Sequence, residues 1–209
     1  MTTCLVISDS LMKIEHYLKE YLKKKLQVDN VENYVFPGKK SSFFFGENGV
    51  VSRMGFMLKP NVKVVLFSFG QNDLSSLVYY KNGKILIEHE GIASLAESVK
   101  KDFCLFSSNY SNCVSFLLPL FQRKINQQCF TRFPISKNQE WIDHINTAIS
   151  LFNTQMSSCP CHVKNIYIVP CTPNIVDEVL CNDGLHLTKT GQESSLALAI
   201  SYWKTRNIL

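Results

Sequence analysis

Four short stretches of this 209-residue chain carry side chains able to do chemistry together: Ser8-Asp9-Ser10-Leu11, Pro37-Gly38, Gly70-Gln71-Asn72-Asp73 and Asp183-Gly184-Leu185-His186. A serine hydroxyl is a poor nucleophile until a neighbouring base takes its proton. Histidine is the side chain most suited to be such a base, and His186 offers one. An imidazole in that role needs a group that fixes its tautomer and stabilises the imidazolium. Asp183 stands three residues earlier, and on a turn or a first helical turn positions i and i+3 face the same side. One short segment can therefore supply both the base and its orienting carboxylate to Ser10. Attack on a carbonyl places negative charge on its oxygen, which needs fixed donors. Three are on offer: the Ser10 N–H if Ser10 opens a helix, the Gly38 N–H with no side chain to block approach, and the Asn72 amide.

Far-apart stretches converge only if the fold brings them to one edge. Short, nearly continuous apolar runs predict strands at Cys4–Ile7, Asn33–Phe36, Val62–Phe69, Cys113–Leu118 and Asn165–Val169. Between them, spacings near 3.6 predict helices. Leu11–Lys24 carries Leu11, Ile14, Leu18 and Leu22 on one face, Ile92–Phe106 carries Ile92, Leu95, Val99 and Phe103, and Gln139–Phe152 carries Ile142, Ile145, Ile149 and Phe152. Ser194–Thr205 closes the pattern. The alternation implies one α/β domain over residues 1–209, a five-stranded parallel sheet doubly wound with helices on both faces. Such sheets bind ligands beyond the carboxyl ends of their strands. The Ser10, Gly38 and Asn72 stretches each follow a strand directly, and the His186 stretch follows the last strand after a loop.

Each stretch alone has a plainer reading. Ser10 or Asp9 could cap the first helix, Asn72-Asp73 could be a turn, and Asp183-Gly184 could be another. Their joint placement, in order and on one edge, favours catalysis. Ser8 is the alternative nucleophile, and the register with Leu11 favours Ser10. His16, His89 and His144 read as ordinary surface residues, and the Asp143-His144 neighbours do not face each other on a helix. Phe43-Phe44-Phe45 reads as core, with lining of an acyl pocket as the alternative and one ring left exposed near the Gly38 loop. Lys81-Asn82-Gly83-Lys84 reads as a hairpin turn or exposed loop. Two longer connections, Cys129–Asn138 and Pro170–Asp183, complete the chain.

Composition bounds the remaining classes. A net charge of +5 and a pI near 8.7 permit peripheral contact with an anionic membrane or nucleic acid without demanding it. The densest basic run, Lys23-Lys24-Lys25, reads as a helix end that complements the macrodipole. There is no apolar stretch long enough to span a bilayer and no signal-peptide pattern, so a cytoplasmic location with reduced thiols is expected. Cys159, Cys161, His162, Cys171 and Cys181 lie near one another in sequence, but their spacing does not suit a structural zinc site, and free thiols are expected.

The four stretches resemble the conserved blocks of the SGNH, or GDSL-like, hydrolases. Ser8-Asp9-Ser10-Leu11 resembles the GDSL block with Ser8 in place of its glycine. Gly38 resembles the second-block glycine, Gly70-Gln71-Asn72-Asp73 the G-x-N-D block, and Asp183-Gly184-Leu185-His186 the D-x-x-H block. The resemblance runs from about residue 4 to about residue 200. It implies a flavodoxin-like three-layer α/β/α sandwich and cleavage of a small ester or lipid through an acyl-enzyme, with no cofactor or metal. Acyl transfer and sugar deacetylation use the same triad. A non-catalytic binding module on the same fold, for lipid, nucleic acid or a protein, is the alternative. A narrower likeness, carried by Asp183 through Thr188, Gly191, Leu118-Pro119 and Asn146, is to the esterase domains of LINE-type retroelement proteins.

Overall fold

The structure, a computed structural model, describes residues 1–9, 16–45, 49–53, 60–110, 112–124, 138–157, 165–169, 180 and 186–205, without the side chains of residues 52, 107 and 202. Its centre is a five-stranded, all-parallel sheet built from β1 (Thr3–Ser8), β2 (Asn30–Val35), β3 (Val62–Ser68), β6 (Val114–Leu117) and β7 (Ile166–Ile168). The spatial order is β2-β1-β3-β6-β7, the flavodoxin-like order, with its switch point between β1 and β3. β1 and β3 are buried along almost their whole length, which explains why they read as unbroken apolar runs rather than alternating ones.

Helices cover both faces. On one side lie α1 (His16–Leu26) and α7 (Lys189–Thr205), which bring Leu18, Leu22, Leu26, Leu196, Ala199, Ile200 and Trp203 down onto Cys4, Val6, Val64, Leu66, Val114 and Phe116. The other side holds α2 (Ser41–Phe45), α3 (Val50–Arg53), α4 (Gln71–Leu77), α5 (His89–Asn109) and α6 (Asn138–Ser157). Its core is aromatic: Phe44 stacks on Phe69 with centroids 5.1 Å apart, and Phe67 meets Phe103 and Phe106 edge-on at 5.5 and 5.1 Å. Edge-to-face pairs of this kind add about 0.5–1.5 kcal/mol each beyond their buried area. Ile92, Val99 and Phe103 of α5, and Ile142, Ile145, Ile149 and Phe152 of α6, are buried here, as the helical spacing predicts. Leu95 is only half-buried, and Ala96 takes the deeper position.

Several boundaries differ from the sequence expectation. β2 begins at Asn30 instead of Asn33; it is an edge strand, half-exposed along most of its length, so its first residues carry little apolar signal. α7 begins at Lys189, five residues before the expected Ser194. The amino-terminal part of the helix expected from Leu11 lies outside the described residues. A two-stranded hairpin, β4 (Val78–Lys81) and β5 (Lys84–Ile87), follows α4. Its turn residues Asn82 and Gly83 both have positive φ, 51° and 78°, the type I′ geometry for which Asn-Gly is suited. Lys23, Lys24 and Lys25 do end α1. No described helix is long and apolar enough to cross a membrane.

Candidate active site

Two of the polar stretches follow the carboxyl ends of β2 and β3. Past the end of β2, the chain turns through the exposed Pro37-Gly38, with Gly38 at φ 72°. An added Cβ at Gly38 would meet nothing within 4 Å. Glycine is therefore suited here by its backbone angle, which L-residues rarely adopt, and crowding plays no part. Past β3, Phe69 leads to Gly70 at φ 113° and ψ −15°, the residue that caps α4. The first turn of α4 then carries Gln71, Asn72 and Asp73.

That turn is bonded directly to the Gly38 loop. Asn72 Nδ2 donates to the Lys39 carbonyl at 3.1 Å. Asp73 accepts from the Ser41 N–H at 2.8 Å and the Ser41 hydroxyl at 2.9 Å, satisfying the start of α2. Burial raises the Asp73 carboxyl above its ordinary range, opposed by its two bonds from Ser41 and by the charge of Lys40. The Asn72 stretch is thus joined by a hydrogen bond to Lys39, the residue that follows Gly38.

The segment after β6 forms the next wall, and α6 clamps it at two points. Asn153 accepts from the Leu120 N–H (3.1 Å) and donates to the Leu120 carbonyl (2.8 Å). One heptad earlier, Asn146 does the same for Arg123, at 2.7 and 2.9 Å. Two amide side chains on one helix face thus bond the main chain of an irregular segment, as buried main-chain polar groups require. Asn146 was singled out in the sequence only through the narrower resemblance; the role of Asn153 was missed. The signal that could have found it is the seven-residue spacing of two asparagines on the apolar face of a helix.

His186 is half-buried and immediately precedes Leu187, which is buried in the core and bridges to Leu180 in antiparallel fashion. Ser10 and Asp183 lie outside the described residues, as do Cys159, Cys161, His162, Cys171 and Cys181. Ser8 ends β1 with no exposure, in register with Val35 and Ser68, and Asp9 is likewise fully buried. Of the phenylalanine run, Phe44 is buried while Phe43 and Phe45 are half-buried against the core; the Lys39 ammonium sits 4.9 Å over the Phe43 ring. Among the described residues no three His, Cys, Asp or Glu side chains cluster to hold a metal. A cavity of about 360 Å³ opens at the opposite edge of the sheet, lined by residues including Thr2, Leu26, Lys63, Asn165 and Trp203, and it touches none of Gly38, Asn72 and His186.

The fold is one shared with solved lipases. A lipase from a goat rumen metagenome is similar over 99% of this chain and 97% of its own, with a TM-score of 0.59 and 17% identity. An extracellular lipase from Streptomyces rimosus is similar over 97% of this chain and 99% of its own (TM-score 0.53, 12% identity). A phospholipase A1 from Streptomyces albidoflavus is similar over 96% and 98% (TM-score 0.53, 13% identity). No protein-family model and no curated protein sequence matches the chain. At such identities the likeness is one of architecture, so the chemistry rests on this chain's own residues.

Proposed function

We propose that the chain is a serine esterase that cleaves a small carboxylic ester or lipid ester through an acyl-enzyme. Ser10 attacks the carbonyl carbon while His186 takes its proton. The oxyanion is bound by the N–H groups of Ser10 and Gly38 and by the Asn72 amide. His186 then protonates the leaving alcohol, and Asp183 orients the imidazole and stabilises its charged form. Water activated by the same histidine releases the acid.

The observation that carries this reading is the bond from Asn72 to Lys39. It brings the Asn72 amide beside the Gly38 loop, at the edge of the sheet where parallel α/β folds bind their ligands. An amide nitrogen has two N–H groups; with one donated to Lys39, the other is available to an incoming oxygen. The complete burial of Ser8 supports Ser10 over Ser8 as the nucleophile. Further support comes from the lipases of like architecture.

The test is hydrolysis of p-nitrophenyl acetate by wild type and Ser10→Ala, together with labelling by a fluorophosphonate and identification of the modified residue. The expected result is loss of turnover by about 10⁴-fold or more, the scale of removing a triad nucleophile, with label on Ser10 alone. Equal rates in the two proteins would reject the reading.

A further inference from the structure

We propose that Arg123 is a positioning residue for Asn72, acting through Gln71 to hold the amide in the orientation that binds the oxyanion. This inference rests on the esterase reading and adds a residue that no sequence block contains.

Arg123 belongs to the segment after β6, and α6 fixes it from both ends. Its main chain is pinned by Asn146 (2.7 and 2.9 Å), and its guanidinium lies over the Trp141 ring, 5.4 Å from the centroid. From there the side chain reaches across to α4. Its Nη2 donates to the Ser75 hydroxyl at 2.9 Å. With the Gln71 amide oxygen turned toward it, the guanidinium also donates from Nε and from Nη2, the latter at 2.8 Å. Gln71 and Ser75 are four apart and share a helix face, and the Ser75 hydroxyl donates back to the Gln71 carbonyl at 2.8 Å. Arg123 therefore grips α4 at two points, one of them in its opening turn.

The opposite side of that turn is the side that matters for chemistry. Asn72 and Asp73 are bonded there to Lys39 and Ser41. The turn is thus held between two clamps, one from the Gly38 loop and one from Arg123. It enters through Gly70, whose backbone has no side chain to restrict it. Both members of the Arg123 clamp are nearly inaccessible, Gln71 at 3% and Arg123 at 9% exposure. An apolar side chain of similar volume would fill such a place at no desolvation cost. What a planar, multiply bonded guanidinium adds is direction. Small displacements of a group that contacts reacting atoms cost large factors in rate.

The experiment is a double-mutant cycle on turnover of p-nitrophenyl acetate: wild type, Arg123→Met, Asn72→Ala and the double variant, with Arg123→Lys and Gln71→Met beside them, each checked for native circular dichroism. Arg123→Met is expected to lower kcat about tenfold, part of the 10²–10³ lost with an oxyanion donor itself, and to leave KM within about twofold. In the Asn72→Ala background the same substitution is expected to change kcat less than about twofold, because its effect runs through an amide already removed. Arg123→Lys, which keeps a donor but not the fork, should fall between wild type and Arg123→Met. If Arg123→Met does not fold, Gln71→Met makes the same cycle from the other half of the pair. Losses that multiply in the double variant, or a change confined to KM, overturn the inference alone. Full activity in Asn72→Ala, or none in wild type, overturns the assignment of Asn72 or the esterase reading, and this inference with it.

Discussion

Replacing Gly70 with alanine tests whether the entry to α4 is a conformational requirement or a matter of space. Gly70 has φ 113° and ψ −15°, where an L-residue pays about 1–3 kcal/mol. The new methyl would sit 3.4 Å from Leu120 Cδ1 and 3.6 Å from the Phe152 ring, ordinary van der Waals distances, so no clash adds to the strain. Against it stands the reduced freedom of the unfolded chain, about 0.4–1 kcal/mol in favour of alanine. The net loss is about 1–2 kcal/mol, or a fall in Tm of roughly 2–8 °C for a chain of this size. Gly83→Ala is the matched control: φ is 78° and nothing lies within 4 Å of the added methyl, so its stability loss should be similar. The two should part in kinetics. Relaxing φ at residue 70 tilts the turn that carries Asn72, and kcat on p-nitrophenyl acetate should fall about tenfold or more. The Gly83 hairpin turn does not touch Asn72, and its variant should keep the wild-type kcat. Thermal unfolding followed by circular dichroism, with steady-state kinetics on the same samples, reads both quantities. A Gly70→Ala protein as stable and as active as wild type would refute the reasoning, as would equal kinetic losses in the two variants.

Two further outcomes follow from bonds already described. Asn153→Leu removes both the acceptor and the donor that hold Leu120 and should cost about 1–3 kcal/mol, read as a lower urea midpoint with an unchanged slope; an unshifted midpoint would show that the clamp contributes nothing to stability. Burial raises the Asp73 carboxyl in the folded state, so folding favours its protonated form, and the associated stability is present at low pH and lost as pH rises through the raised value. Urea midpoints for wild type and Asp73→Asn, compared at pH 7 and near pH 4.5, should show wild type gaining on the variant as pH falls; a gain in the opposite direction contradicts the assignment.

The architecture was legible because β1, β3 and α6 are buried in ways that leave clear periodicities. Val62 through Ser68 is apolar at almost every position, which only a strand covered on both faces requires. Ile142, Ile145, Ile149 and Phe152 mark one helix face, and all are buried. Elements whose stability comes from neighbours left weaker marks. α4 reads Gln-Asn-Asp-Leu-Ser-Ser-Leu, with Asn, Asp and two Ser, all weaker helix formers, at four of its seven positions. It holds together because Gly70, Ser41 and Arg123 satisfy its ends and sides. α2 is two serines and three phenylalanines, and its Phe44 lies edge-on to Phe36 and stacked on Phe69. At the site, Gly38 and Asn72 could be placed on one edge from their positions after β2 and β3, the parallel strands that flank β1. The Arg123–Gln71 contact could not, because a guanidinium reaching from one crossover to another leaves no spacing in the chain.

The face of the sheet beneath α1 depends on a helix made late. Cys4, Val6, Val64 and Leu66 share one core with Leu18, Leu22 and Leu26 of α1 and with Leu196, Ala199, Ile200 and Trp203 of α7, and α7 is synthesised only after every strand. A growing chain therefore presents an oily surface on paired β1, β2 and β3 that α1 covers only in part, with α7 still to come. Such a nascent protein is a natural client for chaperones. Premature termination upstream of Lys189 should yield material destined for aggregation or proteolysis, even though the whole sheet and the Asn72–Lys39 bond are encoded before that point.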